Sequence, residues 1–349
     1  MTVRIAQVGL GYWGPNLARN LATVDGAELT VLCDSNREAL ERIGRQHHGA
    51  RLVDDFAEVV DDAEVEAIVI STPVATHFQL ARDALQAGKH VLVEKPLATS
   101  SAECEELIHI ANERDLRLMV GHVFLYNAAV ERVSEYISSG ELGEVYYAYS
   151  QRLNLGQIRH DVNAMWNFAP HDLSVLCHWF GSEPSSVLAH GYSYIQPGIE
   201  DVVFMGLDFP GGIGANVHIS WLDPLKVRRM TVVGSEKMVV YDDVSADAKI
   251  TLYDKGVTRR LREPASERLG DFGSFAEFQL LLRAGDVVIP RVDFVEPLKR
   301  ECQDFVDCIR TGATPRADGV QGLRVVRALE AAQRSLAEGQ RVALDGARG

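Results

Sequence analysis

The distribution of apolar positions changes partway along the chain. Up to about residue 121 they gather in short runs: Val3 to Val8, Leu29 to Cys33, Glu66 to Ile70, His90 to Val93 and Leu116 to Val120. Such runs read as strands buried on both faces of a parallel sheet. Between them, apolar residues fall at helical spacing: Leu17, Leu21 and Val24; Ala39, Leu40 and Ile43; Leu80, Ala84 and Leu85; and a stretch from Ser101 to Arg114. A further short strand is expected near Leu52-Val53. Strands alternating with helices predict a doubly wound sheet with right-handed crossovers, and ligands then sit off the carboxyl ends of the strands.

Beyond Gly121 the pattern becomes two-fold. After a helix over 128–138, the stretches 145–155, 186–195, 202–209, 214–221, 228–233, 237–241 and 250–253 are strand-like, with Gly211-Gly212 as a hairpin turn. This predicts a mostly antiparallel sheet in an α+β second domain, followed by helices over 297–309 and 322–337. The boundary is placed at residues 1–122 and 123–349. The helix near 322–337 is expected to pack back on the first domain.

The first strand runs into Gly9-Leu10-Gly11-Tyr12-Trp13-Gly14 and then a helix. This is G-x-G-x-x-G in its required context. Gly9 permits the tight turn, Gly11 lets the backbone approach a pyrophosphate, and Gly14 lets helix and strand pack closely. The free N–H groups and positive dipole end of the helix face the phosphates. The second strand ends on Asp34, twenty residues past Gly14, where the fingerprint places a carboxylate for the adenosine ribose. Asp34 would repel a 2′-phosphate, which favours NAD over NADP. Arg37 weakens that preference, since it can reach a phosphate or stack on adenine.

Composition narrows the picture further. The chain has 349 residues, 46% hydrophobic and 24% charged, which suits two globular domains. A formal net charge of −14 argues against a nucleic-acid partner. No segment approaches the ~20 apolar residues of a membrane span, and the N-terminus enters a strand directly, with no signal-peptide core. The five cysteines are scattered, with neither a disulfide framework nor a zinc spacing, so a cytoplasmic location is expected. His47-His48 and His178 lack partners at ligand spacing, and no metal is expected.

Two further motifs carry chemistry. In Glu94-Lys95-Pro96 the proline holds Lys95 extended at a strand end, where it can polarise an alcohol or carbonyl oxygen. On its own the motif also reads as a surface lysine before a proline. In Trp166-Asn167-Phe168-Ala169-Pro170-His171, Asn167 and His171 are four apart, on one face of a helix starting about here. A histidine there is suited to taking an alcohol proton at neutral pH. On the residues alone, Asn167 also reads as a helix N-cap and His171 as an ordered, half-buried histidine.

Taken together, the glycine motif, Glu94-Lys95-Pro96 and His171 resemble the Gfo/Idh/MocA oxidoreductases, the glucose–fructose oxidoreductase and inositol dehydrogenase family. The resemblance spans essentially the whole chain, including Thr314-Pro315. It implies an α/β fold: an N-terminal Rossmann domain and a C-terminal domain with a large open sheet. It also implies NAD(P) chemistry on sugars or polyols, and homodimers or homotetramers built through that sheet. Lys95 matches the family's catalytic lysine and His171 its catalytic histidine. Ser71-Thr72-Pro73 and His77 match its nicotinamide-side loop. Where the family usually carries aspartate, this chain has Asn167, which cannot act as a base and puts a two-group proton relay in question.

The candidate cofactor-binding residues are therefore Gly9, Gly11, Tyr12, Trp13, Gly14, Asp34, Ser35, Arg37, Ser71, Thr72, Pro73, His77, Glu94 and Lys95. The stretch Arg152-Leu153-Asn154-Leu155-Gly156, with Arg159, Asp161, Asn163 and Trp166, resembles the branch acting on nucleotide-activated amino sugars. Arg152 and Asn154 share a strand face, although such a face also reads as simply solvated. With Arg159, Asn163, Trp166, Lys95, Asn167 and His171 they make the candidate substrate site. The expected activity is hydride transfer between nicotinamide and a ring carbon, C3 favoured, of a sugar or nucleotide sugar. The alternatives are a keto-sugar reductase and a non-catalytic dinucleotide sensor on the same scaffold.

Overall fold

The computed structural model describes residues 2–156, 158–261, 278–293 and 295–344. In the first domain the chain runs β1 (Val3–Val8), α1 (Gly14–Leu21), β2 (Ala27–Cys33), α2 (Arg37–Gly44), β3 (Arg51–Val53), α3 (Phe56–Val60), β4 (Ala67–Ile70), α4 (His77–Gln86), β5 (His90–Glu94), α5 (Ser101–Glu113) and β6 (Leu118–Gly121). Among the described residues the strands form one six-stranded sheet in the order β3-β2-β1-β4-β5-β6, with every pair parallel. The order reverses between β1 and β4, which is the switch point where such folds bind ligands. The apolar runs are buried on both faces, as a helix-covered parallel sheet requires: Ala67 to Ile70 and Val91 to Val93 are fully buried.

The second domain follows with α6 (Ala128–Ser138), β7 (Val145–Leu153), α7 (Ala164–Phe180), β8 (Ser186–Tyr192), β9 (Val202–Phe209), β10 (Ile213–Ser220), β11 (Val227–Gly234), β12 (Met238–Asp242), β13 (Ile250–Leu261), β14 (Phe278–Val288), α8 (Pro297–Thr311), α9 (Gly319–Glu338) and β15 (Val342–Ala343). Among the described residues its sheet has nine strands, ordered β14-β13-β12-β11-β7-β10-β9-β8-β15. The β10–β7 pair is parallel and the other pairs are antiparallel. The fold is thus α/β with a Rossmann domain and a large, mostly antiparallel second sheet, as expected. Along β9, Val203, Met205, Leu207 and Phe209 are buried while Phe204 and Asp208 face out. Helix α7 packs across the inner face of β7, β9 and β10.

Several boundaries differ from the sequence reading. Strand β7 ends at Leu153 and β8 at Tyr192. β13 runs on to Leu261 because β14 pairs along its length, and β14 lacks the alternation that would announce it. Helix α9 starts at Gly319, where Asp318 caps it by accepting from the Gln321 N–H. Helices α8 and α9 lie against the first domain. Arg19 pairs with Glu296, Glu330 accepts from the Ser101 N–H, and Gly322 sits where a Cβ would come within 2.7 Å of Val120. No helix among the described residues is long and apolar enough to cross a membrane.

Candidate active site

The glycine turn is built by close packing. Gly9 has φ +89°, and a Cβ there would lie 2.7 Å from the Ser71 carbonyl oxygen. A Cβ on Gly14 would lie 2.1 Å from the Gly9 carbonyl oxygen, so the third glycine is required by the first. Gly11 differs: a Cβ there would meet nothing within 4 Å. Its backbone is open on the side from which a ligand would come. The Ser71 hydroxyl donates to the Gly9 carbonyl (2.8 Å), and the Gln7 amide donates to Ser71 Oγ (2.8 Å), tying the turn to the end of β4. Helix α1 has no side-chain cap; Pro15 has no N–H and the Asn16 N–H donates to the Trp13 carbonyl (2.9 Å), which leaves the Gly14 N–H, with no partner among the described residues, for an anion.

Asp34 stands at the end of β2. Its Oδ2 accepts from the Leu10 N–H (2.6 Å) inside the glycine turn, and its Oδ1 accepts from the Asn36 N–H (2.8 Å). The carboxylate is thus held beside the turn. Arg37 is drawn aside by Asp54, which accepts from its Nε at 2.8 Å, and its side chain is 81% exposed. Ser35 and Tyr12 are exposed, Tyr12 almost completely, and Trp13 is half-buried at the head of α1. These features fit a dinucleotide: open backbone, uncapped helix start and a fixed carboxylate.

Lys95 lies just past β5. It is half-buried, and its Nζ donates to the Asn167 carbonyl oxygen at 3.3 Å. That one bond joins the parallel-sheet edge to α7. Burial pushes the lysine below its ordinary range, with Glu94 opposing and Arg152 and Arg159 adding to the shift. Burial raises Glu94, against the pull of Lys95. His77 opens α4 and is buried, its ring between the Thr72 and Pro96 carbonyls (2.9 and 2.8 Å). The ring itself therefore faces backbone, while Thr72 and Pro73 lie nearer the surface.

Helix α7 carries the rest. Its N-cap is Asn163, not Asn167: Asn163 Oδ1 accepts from the Trp166 N–H (3.0 Å). The Asn163 amide donates to Glu200 (2.7 Å) and Gln333 (3.1 Å), and the Trp166 indole also donates to Gln333 (3.2 Å). Both residues are used in joining α7 to α9 and the β8–β9 connection. Asn167 falls in the first turn with His171 one turn further along. His171 packs edge-on against Phe124 (5.0 Å between ring centroids), and its Nδ1 is buried with no hydrogen-bond partner. Burial first, then the charges of Lys95 and Arg152, hold this imidazole well below its usual range. The neutral ring is favoured and keeps one nitrogen lone pair as an acceptor, while the same burial and charges oppose its lasting protonation.

Arg152 is not a free substrate contact. Its Nε and Nη2 donate to Asp172 Oδ2 and Oδ1 (2.7 and 3.2 Å), while the Ser150 hydroxyl donates to Oδ1 (2.8 Å). The guanidinium also lies 4.7 Å from the centre of the Phe124 ring. Asn154 stands past the end of β7, so the two do not share a strand face as expected. Arg159 pairs with Asp161 at the exposed rim, close enough for its charge to act on Lys95. The sequence reading also missed His122. It is fully buried at the end of β6, with neither ring nitrogen hydrogen-bonded, and burial and Lys95 push it down to about 3. Its place immediately after a strand end was the available signal.

This is the architecture of an NAD-binding oxidoreductase. Residues 3–122 match a family model described as "Oxidoreductase family, NAD-binding Rossmann fold", and residues 130–240 match "GFO/IDH/MocA C-terminal domain". The chain belongs to the GFO/IDH/MocA oxidoreductase family. It is 26% identical to the scyllo-inositol 2-dehydrogenase (NAD(+)) of Bacillus subtilis over 98% of this chain and 96% of that one. It is also 26% identical to the UDP-N-acetylglucosamine 3-dehydrogenase of Acidithiobacillus ferrooxidans, over 93% and 95%. A solved structure of the latter matches with a TM-score of 0.79 at 24% identity, covering 97% of this chain and all of that one. An uncharacterized oxidoreductase of Streptococcus pneumoniae is 29% identical over 59% of each chain.

Proposed function

We propose that the protein is an NAD(H)-dependent dehydrogenase acting on a ring carbon, C3 favoured, of a sugar or nucleotide-activated amino sugar. The observation that carries this reading is the bond from Lys95 Nζ to the Asn167 carbonyl, which brings the ammonium to the helix face that bears His171. The dinucleotide supplies the hydride acceptor when bound. Gly9, Gly11, Gly14 and the first turn of α1 hold its pyrophosphate, and Asp34 its ribose. Ser71, Thr72 and Pro73 border the nicotinamide.

His171, neutral through burial, takes the proton of the reacting hydroxyl. Lys95 spends one donor on Asn167 and turns the others to the same oxygen, stabilising negative charge as it develops. In the reverse direction the same two groups return the proton to a keto sugar. Asn167 carries no charge and supplies its backbone carbonyl to the lysine. Arg159 and Asn154 are left to meet the substrate at the rim. The two full-length relatives support both a polyol and a UDP-sugar as substrate class; the resemblance of the stretch from Arg152 to Trp166 to the branch acting on nucleotide-activated amino sugars favours the second.

The test is NADH formation by the purified protein on a panel of inositols, free sugars and UDP-N-acetylhexosamines, with the product identified by NMR. Turnover of a UDP-sugar with oxidation at C3 is expected. NADH binding without turnover on any of them overturns the reading.

A further inference from the structure

Both ring nitrogens of His77 face carbonyl oxygens. Nδ1 lies 2.8 Å from that of Pro96 and Nε2 lies 2.9 Å from that of Thr72. The residue is 1% exposed, so the ring is not held by solvent. A carbonyl only accepts, and a neutral imidazole has one N–H and one lone pair. Both contacts are hydrogen bonds only when the ring carries two protons. In the neutral ring one of them sets a lone pair against an oxygen.

The two carbonyls stand at different strand ends. Thr72 follows β4, and Pro96 follows β5 and is bonded to Lys95. We propose that His77 is a positioning residue: it ties the Thr72 segment to the Pro96 segment and so fixes where Lys95 stands, with two bonds when the ring is charged and one when it is neutral. The proposal rests on the reading of Lys95 given above. Lys95 itself has few other anchors. Its N–H meets Glu94 at 3.2 Å and its Nζ meets Asn167 at 3.3 Å, both longer than the bonds made by His77.

The forces on the ring oppose one another. Burial lowers its pKa most, Lys95 lowers it further, and the Pro96 and Thr72 carbonyls raise it. The net direction is down, so the second bond forms on the acid side of the ordinary histidine range. Among the described residues, Lys95 is the charged group that acts on the ring. β4 is apolar, and on the α5 side the Glu106 carboxylate faces Arg82 instead.

The experiment combines ring ¹⁵N NMR of His77 in the full-length protein with turnover of His77→Gln and His77→Leu across pH. Below pH 6.5 the ring should gain a second N–H, and wild-type kcat should change over the same interval. His77→Gln keeps a donor for one carbonyl, as the neutral ring does, and should lose that pH step while kcat stays near the neutral-ring level at every pH. His77→Leu has none and should lose ~10²-fold, the scale of a misplacement of about 1 Å, while cofactor affinity changes far less. A ring that stays neutral with one tautomer throughout, or a His77→Leu enzyme with wild-type kcat, overturns the proposal. Lys95→Ala separates the two claims: if it keeps full turnover the reading of Lys95 fails, while the NMR titration still decides whether His77 makes the double tie.

Discussion

Arg152 and Asp172 form a two-point ion pair inside the protein, Nε to Oδ2 at 2.7 Å and Nη2 to Oδ1 at 3.2 Å, with the residues 6% and 2% exposed. Arg152 lies one residue before the end of β7, and Asp172 lies on α7 beside His171. The pair therefore fixes the helix bearing the proposed base against the sheet, and the Arg152 charge helps keep His171 neutral.

Breaking one partner leaves the other charge buried and unpaired. Arg152→Met or Asp172→Ala should each destabilise the protein by about 3–5 kcal/mol, read by urea unfolding. Arg152→Met combined with Asp172→Leu should recover most of that loss. A single variant of unchanged stability but weakened substrate binding would return Arg152 to the substrate.

Cofactor choice should follow Asp34. Its carboxylate is clamped by the Leu10 and Asn36 N–H groups, while Arg37 is held by Asp54. Asp34→Ala should weaken NAD(H) binding and relax discrimination against NADP(H), measured by titrating cofactor fluorescence. A wild type that prefers NADP(H) would make Arg37 the governing residue.

The outer face of the second sheet carries Tyr147 and Phe204, 47% and 39% exposed, with His218 stacked on Phe204 at 4.3 Å. An open sheet with an aromatic face left to water invites self-association. Light scattering at micromolar concentration should show a dimer or tetramer, and Phe204→Asp should dissociate it. Monomer alone in the wild type rejects this.

The parts of the site legible in the sequence are local ones. The glycine turn is set by contacts within a few residues of Gly9 and by one neighbouring strand end, so its spacing carries its geometry. Lys95 and His171 were visible because a strand end and a helix turn display them. The partners of Arg152, Asn163 and Trp166 were hidden for the opposite reason. The fates of these three depend on Asp172, Glu200 and Gln333, and those partners arrive only once β7, α7 and α9 are packed together. Asn163 shows the local side of this: a cap four residues earlier competes with Asn167, and both are good capping residues. Strand β14 was hidden because its pairing with β13, rather than an alternating pattern, makes it a strand.

The last prediction concerns the proton. His171 is held neutral by burial and by the positive charge of Lys95 and Arg152, so its acid limb should lie well below the ordinary histidine range, at lower pH than the step set by His77. Lys95→Ala removes one of those charges. Turnover should fall by ~10²–10⁴-fold, and the acid limb of the residual rate should move to higher pH because the ring is now easier to protonate. His171→Ala should lose a similar factor and lose the limb itself. NAD(H) affinity should change little in either, since the glycine turn and Asp34 hold the dinucleotide. Asn167→Asp tests the position from the other side. Asn163, not Asn167, caps α7, so stability should be nearly unchanged; a carboxylate one turn from His171 should raise the ring's pKa and shift the acid limb upward. An unshifted profile at full rate would place the Asn167 side chain away from the proton path. Wild-type turnover in Lys95→Ala would remove the residue on which the mechanism rests.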